Sequence, residues 1–206
     1  FVDPSDQGLA DFLQEMRSRR GRRNEEMLHR LAADGISFTA CELYGNNPDT
    51  VITRAHIARA MVQKGICSSV EQAFKKYLNY GGPYCPPKEY MEPEAVVNIL
   101  LKNGAFAALA HPFLYKLGDK KTEALIARLA DMGMKGLEVY HSSNHRSESR
   151  KLQEMAYRYS LFPTGGSDFH GTCKPDIAIG KGRGGLRVSE LLLNDIKHCI
   201  SCNGLV

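Results

Sequence analysis

The sequence is marked first by what it does not contain. No apolar run approaches the roughly 18–20 residues that a membrane-spanning helix needs, and no basic n-region with an apolar h-region opens it. No initiating Met is present, and Phe1-Val2-Asp3-Pro4 reads as the tail of a strand. Cys199 and Cys202 form a Cys-x-x-Cys, but no second such pair and no His-x-His accompanies it, so a zinc or redox framework is not indicated. The six cysteines, at 41, 67, 85, 173, 199 and 202, read instead as reduced cytoplasmic thiols. A cytoplasmic protein without membrane association or an obligate protein partner is therefore expected.

What is present is ordinary in bulk. In 206 residues, a hydrophobic fraction of 43% and a charged fraction of 24% suit one sizeable core with a small subdomain. The net charge of +4 permits an anionic ligand without demanding nucleic acid. That charge is uneven, since Arg17, Arg19, Arg20, Arg22 and Arg23 fall within seven residues.

Residues 1–82 read as an all-α insertion. Ser5 or Asp6 can cap a helix from about Leu9 to Ala33, closed by Gly35. Leu9, Phe12, Leu13, Met16, Met27 and Leu31 share one stripe at helical spacing. At about 100° per residue Arg20 and Arg23 fall inside that stripe, whereas Arg22 points away. An inward arginine needs a partner, either a carboxylate elsewhere in the fold or a phosphate, which matches the guanidinium fork. A short apolar stretch, Ser37 to Leu43, leads to a turn at Gly45-Asn46-Asn47-Pro48 and a helix from Val51 to Gln63. Ser68-x-x-Glu71 predicts a capping box for a further helix to Leu78. Two helices around Gly65 could make a DNA-binding helix-turn-helix. However, Val70, Ala73, Phe74 and Tyr77 leave the second helix few polar groups for base edges.

Residues 83–206 change to alternating helices and strands. Helices are predicted from Pro93 to Lys102, Lys121 to Met132, Ser147 to Tyr159 and Val188 to Cys199. Between them lie strands at Ala105–Ala110, Gly136–Tyr140 and Leu161–Thr164, an order that predicts a parallel sheet or barrel. In such folds chemistry gathers where strands end. His111, His141 and the Asp168-x-His170 pair follow three consecutive strands. Residues two apart in an extended loop project the same way, and Gly165-Gly166 would let the backbone turn tightly there. Imidazole with carboxylate suits zinc, manganese or iron, and such ions serve hydrolysis.

Three segments, Ala110-His111-Pro112, Gly136-Leu-Glu-Val-Tyr140-His141 and Gly166-Ser-Asp168-Phe-His170-Gly171, resemble the last three motifs of the polymerase-and-histidinol-phosphatase (PHP) family. The insertion resembles one bacterial branch of it, through Arg20-Gly-Arg-Arg23-Asn24, Arg54-Ala-His56-Ile-Ala-Arg59 and Ala73-Phe-Lys-Lys-Tyr77-Leu78. The resemblance covers essentially the whole chain. It implies an α/β fold, the C-terminal part of a distorted (β/α)7 TIM-like barrel carrying the all-α insertion. The implied activity is metal-dependent hydrolysis of phosphate esters, either of 3′,5′-bisphosphonucleotides or at RNA 5′ ends. Two or three divalent ions, manganese, iron or zinc, would serve the complete protein. By the resemblance His111, Asp168 and His170 are metal ligands, with Asp168 and His170 also catalytic. Arg23, Arg54 and His56 would grip a substrate phosphate, and Arg20 and His141 would line the pocket. The family's opening His-x-His strand and its other early ligands have no counterpart here, so this stretch alone is expected to be inactive. Two alternatives from other classes are a PHP scaffold or nucleic-acid-binding domain without catalysis, and an amide-bond hydrolase on the same metal scaffold.

Overall fold

In the computed structural model residues 2–45, 47, 50–171 and 174–202 are described, the last by its backbone only. They divide into a helical unit, Ala10–Tyr90, and a second unit made of the residues up to Leu9 together with Met91 onward. Residues 83–90 thus belong with the helices. Among the described residues no helix is long and apolar enough to cross a membrane.

The helical unit contains most of α1 (Gln7–Ala33), then α2 (Ala40–Tyr44), α3 (Arg54–Gln63) and α4 (Val70–Lys76). Met27 and Leu31 of α1, Ile57 and Met61 of α3 and Leu78 are fully buried together. Asn24 shares their side of α1, and its amide donates to the Ile52 carbonyl at 2.8 Å. The stripe expected along α1 is interrupted, since Leu9 is buried but no residue from 10 to 22 is, and burial resumes at Asn24. Arg20 is consequently exposed, which corrects its expected inward placement, whereas Arg23, one turn further along, is half-buried. Part of the apolar stretch Ser37–Leu43 is the helix α2, started by a capping box. The Thr39 hydroxyl accepts from Glu42 N–H at 3.3 Å, and the Glu42 carboxylate accepts from Thr39 N–H at 2.7 Å. The cap of α4 sits one residue later than predicted. Ser69 Oγ accepts from Gln72 N–H at 3.1 Å, while Gln72 Oε1 accepts from Ser68 N–H at 2.7 Å. In the turn after α2, Gly45 adopts φ 59°, and Asn46 and Pro48 lie outside the described residues.

In the second unit α5 (Pro93–Lys102), β1 (Ala108–Leu109), α6 (Asp119–Asp131), β2 (Gly136–His141), α7 (Arg146–Arg158), β3 (Phe162–Gly166) and α8 (Glu190–Cys202) follow in order. Pro93 fits the first turn of α5, where a backbone N–H would have no helical partner. The strands pair in parallel in the order β1-β2-β3. The strand expected over Ala105–Ala110 pairs at two residues only, Ala108 with Gly136 and Leu109 with Leu137. Leu137 and Val139 of the central strand are fully buried against Ile126 and Leu129 of α6 and Leu152 and Ala156 of α7. Burying a Leu or Ile side chain of this kind contributes about 1.5–3 kcal/mol. Cys41, Cys67 and Cys85 are free thiols, and Cys173 lies outside the described residues.

The register slips between β2 and β3. Glu138 pairs with Thr164 but Tyr140 with Gly165, so Val139 is a bulge residue just before the strand's end. Here the glycines differ from expectation. Neither Gly165 nor Gly166 has a left-handed φ, so they serve close approach rather than a tight turn. A Cβ on Gly165 would stand 2.8 Å from Tyr140 Cβ and 2.9 Å from its carbonyl oxygen. Gly165→Ala is therefore expected to lower stability by about 1–3 kcal/mol. Gly21→Ala, where a helical Cβ meets nothing within 4 Å, should raise it by about 0.5–1 kcal/mol. Urea unfolding of both variants checks the opposite signs, and equal shifts would refute the close-approach account.

Candidate functional site

The three strand ends bring four expected site residues into a chain of neighbours. The imidazoles of His111 and His141 stand 5.8 Å apart, centroid to centroid, at a steep angle. His141 Nε2 lies 3.6 Å from Asp168 Oδ2, and His170 Nδ1 lies 3.3 Å from Asp168 Oδ1. Two of these residues carry backbone strain. His111, although followed by Pro112, has φ 33° and ψ 56°, and Asp168 has φ 57°. Left-handed geometry in non-glycine residues costs about 1–3 kcal/mol each and persists only where the surroundings impose it. At His111 the constraint is visible, because its backbone N–H donates to Glu138 Oε2 at 2.6 Å. Glu138 therefore fixes the His111 backbone.

Hydrogen bonds from fixed backbone groups settle what two of the imidazoles offer. The carbonyl of Asp168 can only accept, and it lies 2.7 Å from His170 Nδ1, so Nδ1 carries the proton and Nε2 keeps its lone pair. At His141 the roles reverse. Ser143 N–H donates to His141 Nδ1 at 3.0 Å, leaving the proton on Nε2. His141 thus presents an N–H donor rather than a metal-binding lone pair. Its Nε2 is buried and has no hydrogen-bond partner, and the same holds for His111 Nδ1. Buried polar nitrogens without partners are uncommon and point to a group that completes them.

Asp168 is ionised in this setting. The Lys174 ammonium donates to Oδ2 and is the main reason that the carboxyl lies below its usual range; partial burial opposes this, and His170 and His141 add to it. No feature of the sequence had singled out Lys174. Burial raises the nearby Tyr115 phenol, and the Glu138 charge adds to the effect. Among the described residues no group of three or more His, Cys, Asp or Glu converges closely enough to hold a metal ion. The donor chemistry suits a cation nonetheless, with the His170 Nε2 lone pair, the open His111 Nδ1 and an ionised carboxylate at one rim.

In the helical unit the arginines separate by partner. Arg19 and Arg22 meet Glu15, and Arg30 meets Glu26, as surface pairs. Among the described residues Arg23 has no such pair, and its Nε is buried without a partner. Arg54 meets no carboxylate among the described residues. Its guanidinium donates to the Leu78 carbonyl at 2.7 Å and lies 3.7 Å from the Tyr80 ring centroid. His56 Nδ1 accepts from Thr53 N–H at 3.1 Å, which leaves Nε2–H as an available donor. Burial, followed by the charge of Arg59, holds its pKa below the ordinary histidine value. The neutral form is thus the folded one, and its contribution to stability is lost as pH falls below about 6.5. Arg59→Gln should raise the His56 pKa while leaving it below the ordinary value, because burial is the larger cause. NMR titration of the imidazole measures this, and an unchanged pKa would contradict the assignment.

No family model matches the chain. It is 32% identical over 171 residues to a 3′,5′-nucleoside bisphosphate phosphatase of Chromobacterium violaceum, covering 82% of this chain and 60% of that protein. It is 30% identical over 173 residues to the 5′-3′ exoribonuclease Rnm of Escherichia coli, covering 84% and 59%. The chain thus spans about 60% of the length of these curated relatives. Among solved structures, a protein of Bifidobacterium adolescentis assigned as a metal-dependent phosphoesterase superposes with a TM-score of 0.77 at 26% identity, covering 97% of this chain and 68% of that one. A Chromobacterium violaceum structure named an amidohydrolase, with bound sulfate and no metal, superposes with a TM-score of 0.75 at 28% identity, covering 96% and 69%. The chain is similar in sequence to a bacterial 3′,5′-nucleoside bisphosphate phosphatase and a 5′-3′ exoribonuclease, and in fold to a structure assigned as a metal-dependent phosphoesterase and one named an amidohydrolase.

Proposed function

We propose that the chain is part of a metal-dependent phosphoesterase of the PHP type, hydrolysing 3′,5′-bisphosphonucleotides or phosphoesters at RNA 5′ ends. The observation that carries this reading is the rim itself. Two buried imidazole nitrogens lacking partners, one open imidazole lone pair and an ionised carboxylate stand together at the ends of parallel strands. The names of the relatives support the substrate class, and the likeness to the Bifidobacterium structure supports metal use.

His111, Asp168 and His170 would hold a divalent ion, manganese, iron or zinc, with further ions in the complete protein. Such an ion, when bound, neutralises phosphoryl charge and acidifies water. His141, with its proton on Nε2, is oriented to donate to a phosphoryl oxygen beside Asp168. Glu138 fixes the His111 backbone so that the imidazole keeps one orientation. Arg23, Arg54 and His56 would hold a substrate phosphate, Arg23 through a guanidinium with no carboxylate of its own. The amide-hydrolase alternative gives those unpaired arginines nothing to do.

Asp168→Ala in the full-length protein should lower phosphate release by more than about 100-fold with the fold retained, since even changes one step removed from a ligand cost 10–100-fold. Normal turnover by that variant would remove Asp168 from the chemistry. Arg23→Ala should raise KM for a bisphosphonucleotide by roughly 10-fold or more, the worth of about one charge-assisted hydrogen bond, and leave a small phosphate monoester unaffected. Arg54→Ala is the less clean probe, because it also removes the bond to the Leu78 carbonyl and the stacking on the Tyr80 ring. Equal effects of Arg23→Ala on both substrates would make that arginine structural.

A further inference from the structure

Beside the rim, within the second unit, lies a cavity of about 350 Å³ to which the proposed chemistry assigns no role. One wall is a face of α7. Arg146, Ser149, Arg150 and Gln153 line it and fall within about 100° of one another around the helix axis, while Leu152, Met155 and Ala156 face the core. The opposite wall is the segment Arg183-Gly184-Gly185, and His141 closes the end towards the metal-type residues.

The charge of this cavity is of one sign. Three arginines line it and, among the described residues, no acidic side chain does. Arg183 is partly neutralised by Asp176, at 2.6 and 3.3 Å, from outside the lining. Arg146 and Arg150 make no hydrogen bond or ion pair with the described residues, in contrast to Lys151 and Arg158 on the same helix, which meet Asp119 and Glu123. Exposed arginines alone would be a solvated face. The second observation is that His141, 2% exposed and with its Nε2 facing Asp168 at 3.6 Å, also lines the cavity and so joins it to the rim. The glycine wall also has a specific fit. A Cβ on Gly182 would lie 2.0 Å from Ser142 Oγ, so only glycine lets this segment come so near the end of β2. Gly184 and Gly185, with φ 64° and 73°, leave open space where side chains would stand.

Resting on the phosphoesterase reading above, we propose that this cavity is a strand subsite. It takes the sugar-phosphate unit next to the scissile phosphate of an RNA strand, with Arg146 and Arg150 on the phosphodiester. Size favours a nucleotide unit over a free phosphate, since the volume falls at the lower end of the range for small-molecule pockets, roughly 300–1,000 Å³. Charge without acidic neighbours favours a phosphodiester over a neutral sugar or base. A single bisphosphonucleotide held at the rim leaves the subsite empty. The subsite therefore separates strand substrates from mononucleotides.

The test uses the full-length protein and an Arg146→Gln/Arg150→Gln double variant. Both side chains lack internal partners, so the fold is not at risk. Steady-state hydrolysis is measured on a 3′,5′-bisphosphonucleotide and on a short 5′-phosphorylated RNA. The KM for RNA should rise at least about 10-fold, the KM for the mononucleotide should stay within about twofold, and kcat should hold for both. The salt dependence of RNA binding, read by fluorescence anisotropy, should become shallower by about 0.7 in log-log slope for each phosphate that the protein no longer neutralises. Equal losses on both substrates, or none on either, would overturn the subsite. If the unmodified protein hydrolyses neither substrate, the phosphoesterase reading fails and anisotropy alone decides. RNA binding unaffected by the double variant then sinks this proposal too, whereas a salt-dependent loss sustains it.

Discussion

A single carboxylate bond organises the rim. Glu138, at the middle of the central strand, accepts the backbone N–H of His111 at the end of β1. That bond reaches across the shortest strand pairing in the sheet, two residues long, and holds a pre-proline histidine in a left-handed conformation it would otherwise avoid. Everything else at the rim follows from the parallel order β1-β2-β3, which delivers His111, His141 and Asp168 in sequence to neighbouring positions. The bulge at Val139 and the missing side chain of Gly165 let β3 approach β2 closely just before the Asp168 loop begins.

Unmet hydrogen-bonding capacity marks three of the proposed site residues, although Asn24, Glu94 and Thr122 also keep a buried side-chain atom without a partner. Arg19, Arg22 and Arg30 of α1 have carboxylates within reach, and pairs of this kind contribute little to stability. Arg23, His111 and His141 each keep a buried nitrogen without a partner, which costs free energy in the unliganded molecule. A ligand with negative charge and acceptor oxygens, or a cation at the rim, recovers that cost on binding. The imidazoles are not interchangeable in this. Backbone groups set opposite tautomers at His141 and His170, so neighbouring histidines serve one as donor and the other as lone pair.

Much of this was legible in the sequence because it depends on local pattern. The helices around Met27, Ile57, Ile126 and Leu152 follow from apolar spacing, and the three strand ends follow from the apolar runs that precede His111, His141 and Asp168. What escaped depends on partners far away in the chain. The periodicity of α1 could not tell that burial lapses between Leu9 and Asn24, which leaves Arg20 exposed. Two adjacent serines before α4 offered two caps, and the choice of Ser69 turns on Gln72 rather than Glu71. Gly165 read as a turn residue because its real constraint, Tyr140, lies on another strand. Lys174 on Asp168, and the arginine face of α7 opposite Gly184, carry no sequence signal beyond common residue types.

The central claim is that the rim of His111, Asp168 and His170 holds a divalent cation. Anomalous diffraction from crystals of the full-length protein grown with manganese tests it most directly. The account predicts a manganese peak within bonding distance of Asp168 and at least one of the two imidazoles, with Lys174 displaced from the carboxylate. Manganese-loaded, active protein showing no peak at this rim, and Lys174 still seated on Asp168, would contradict it.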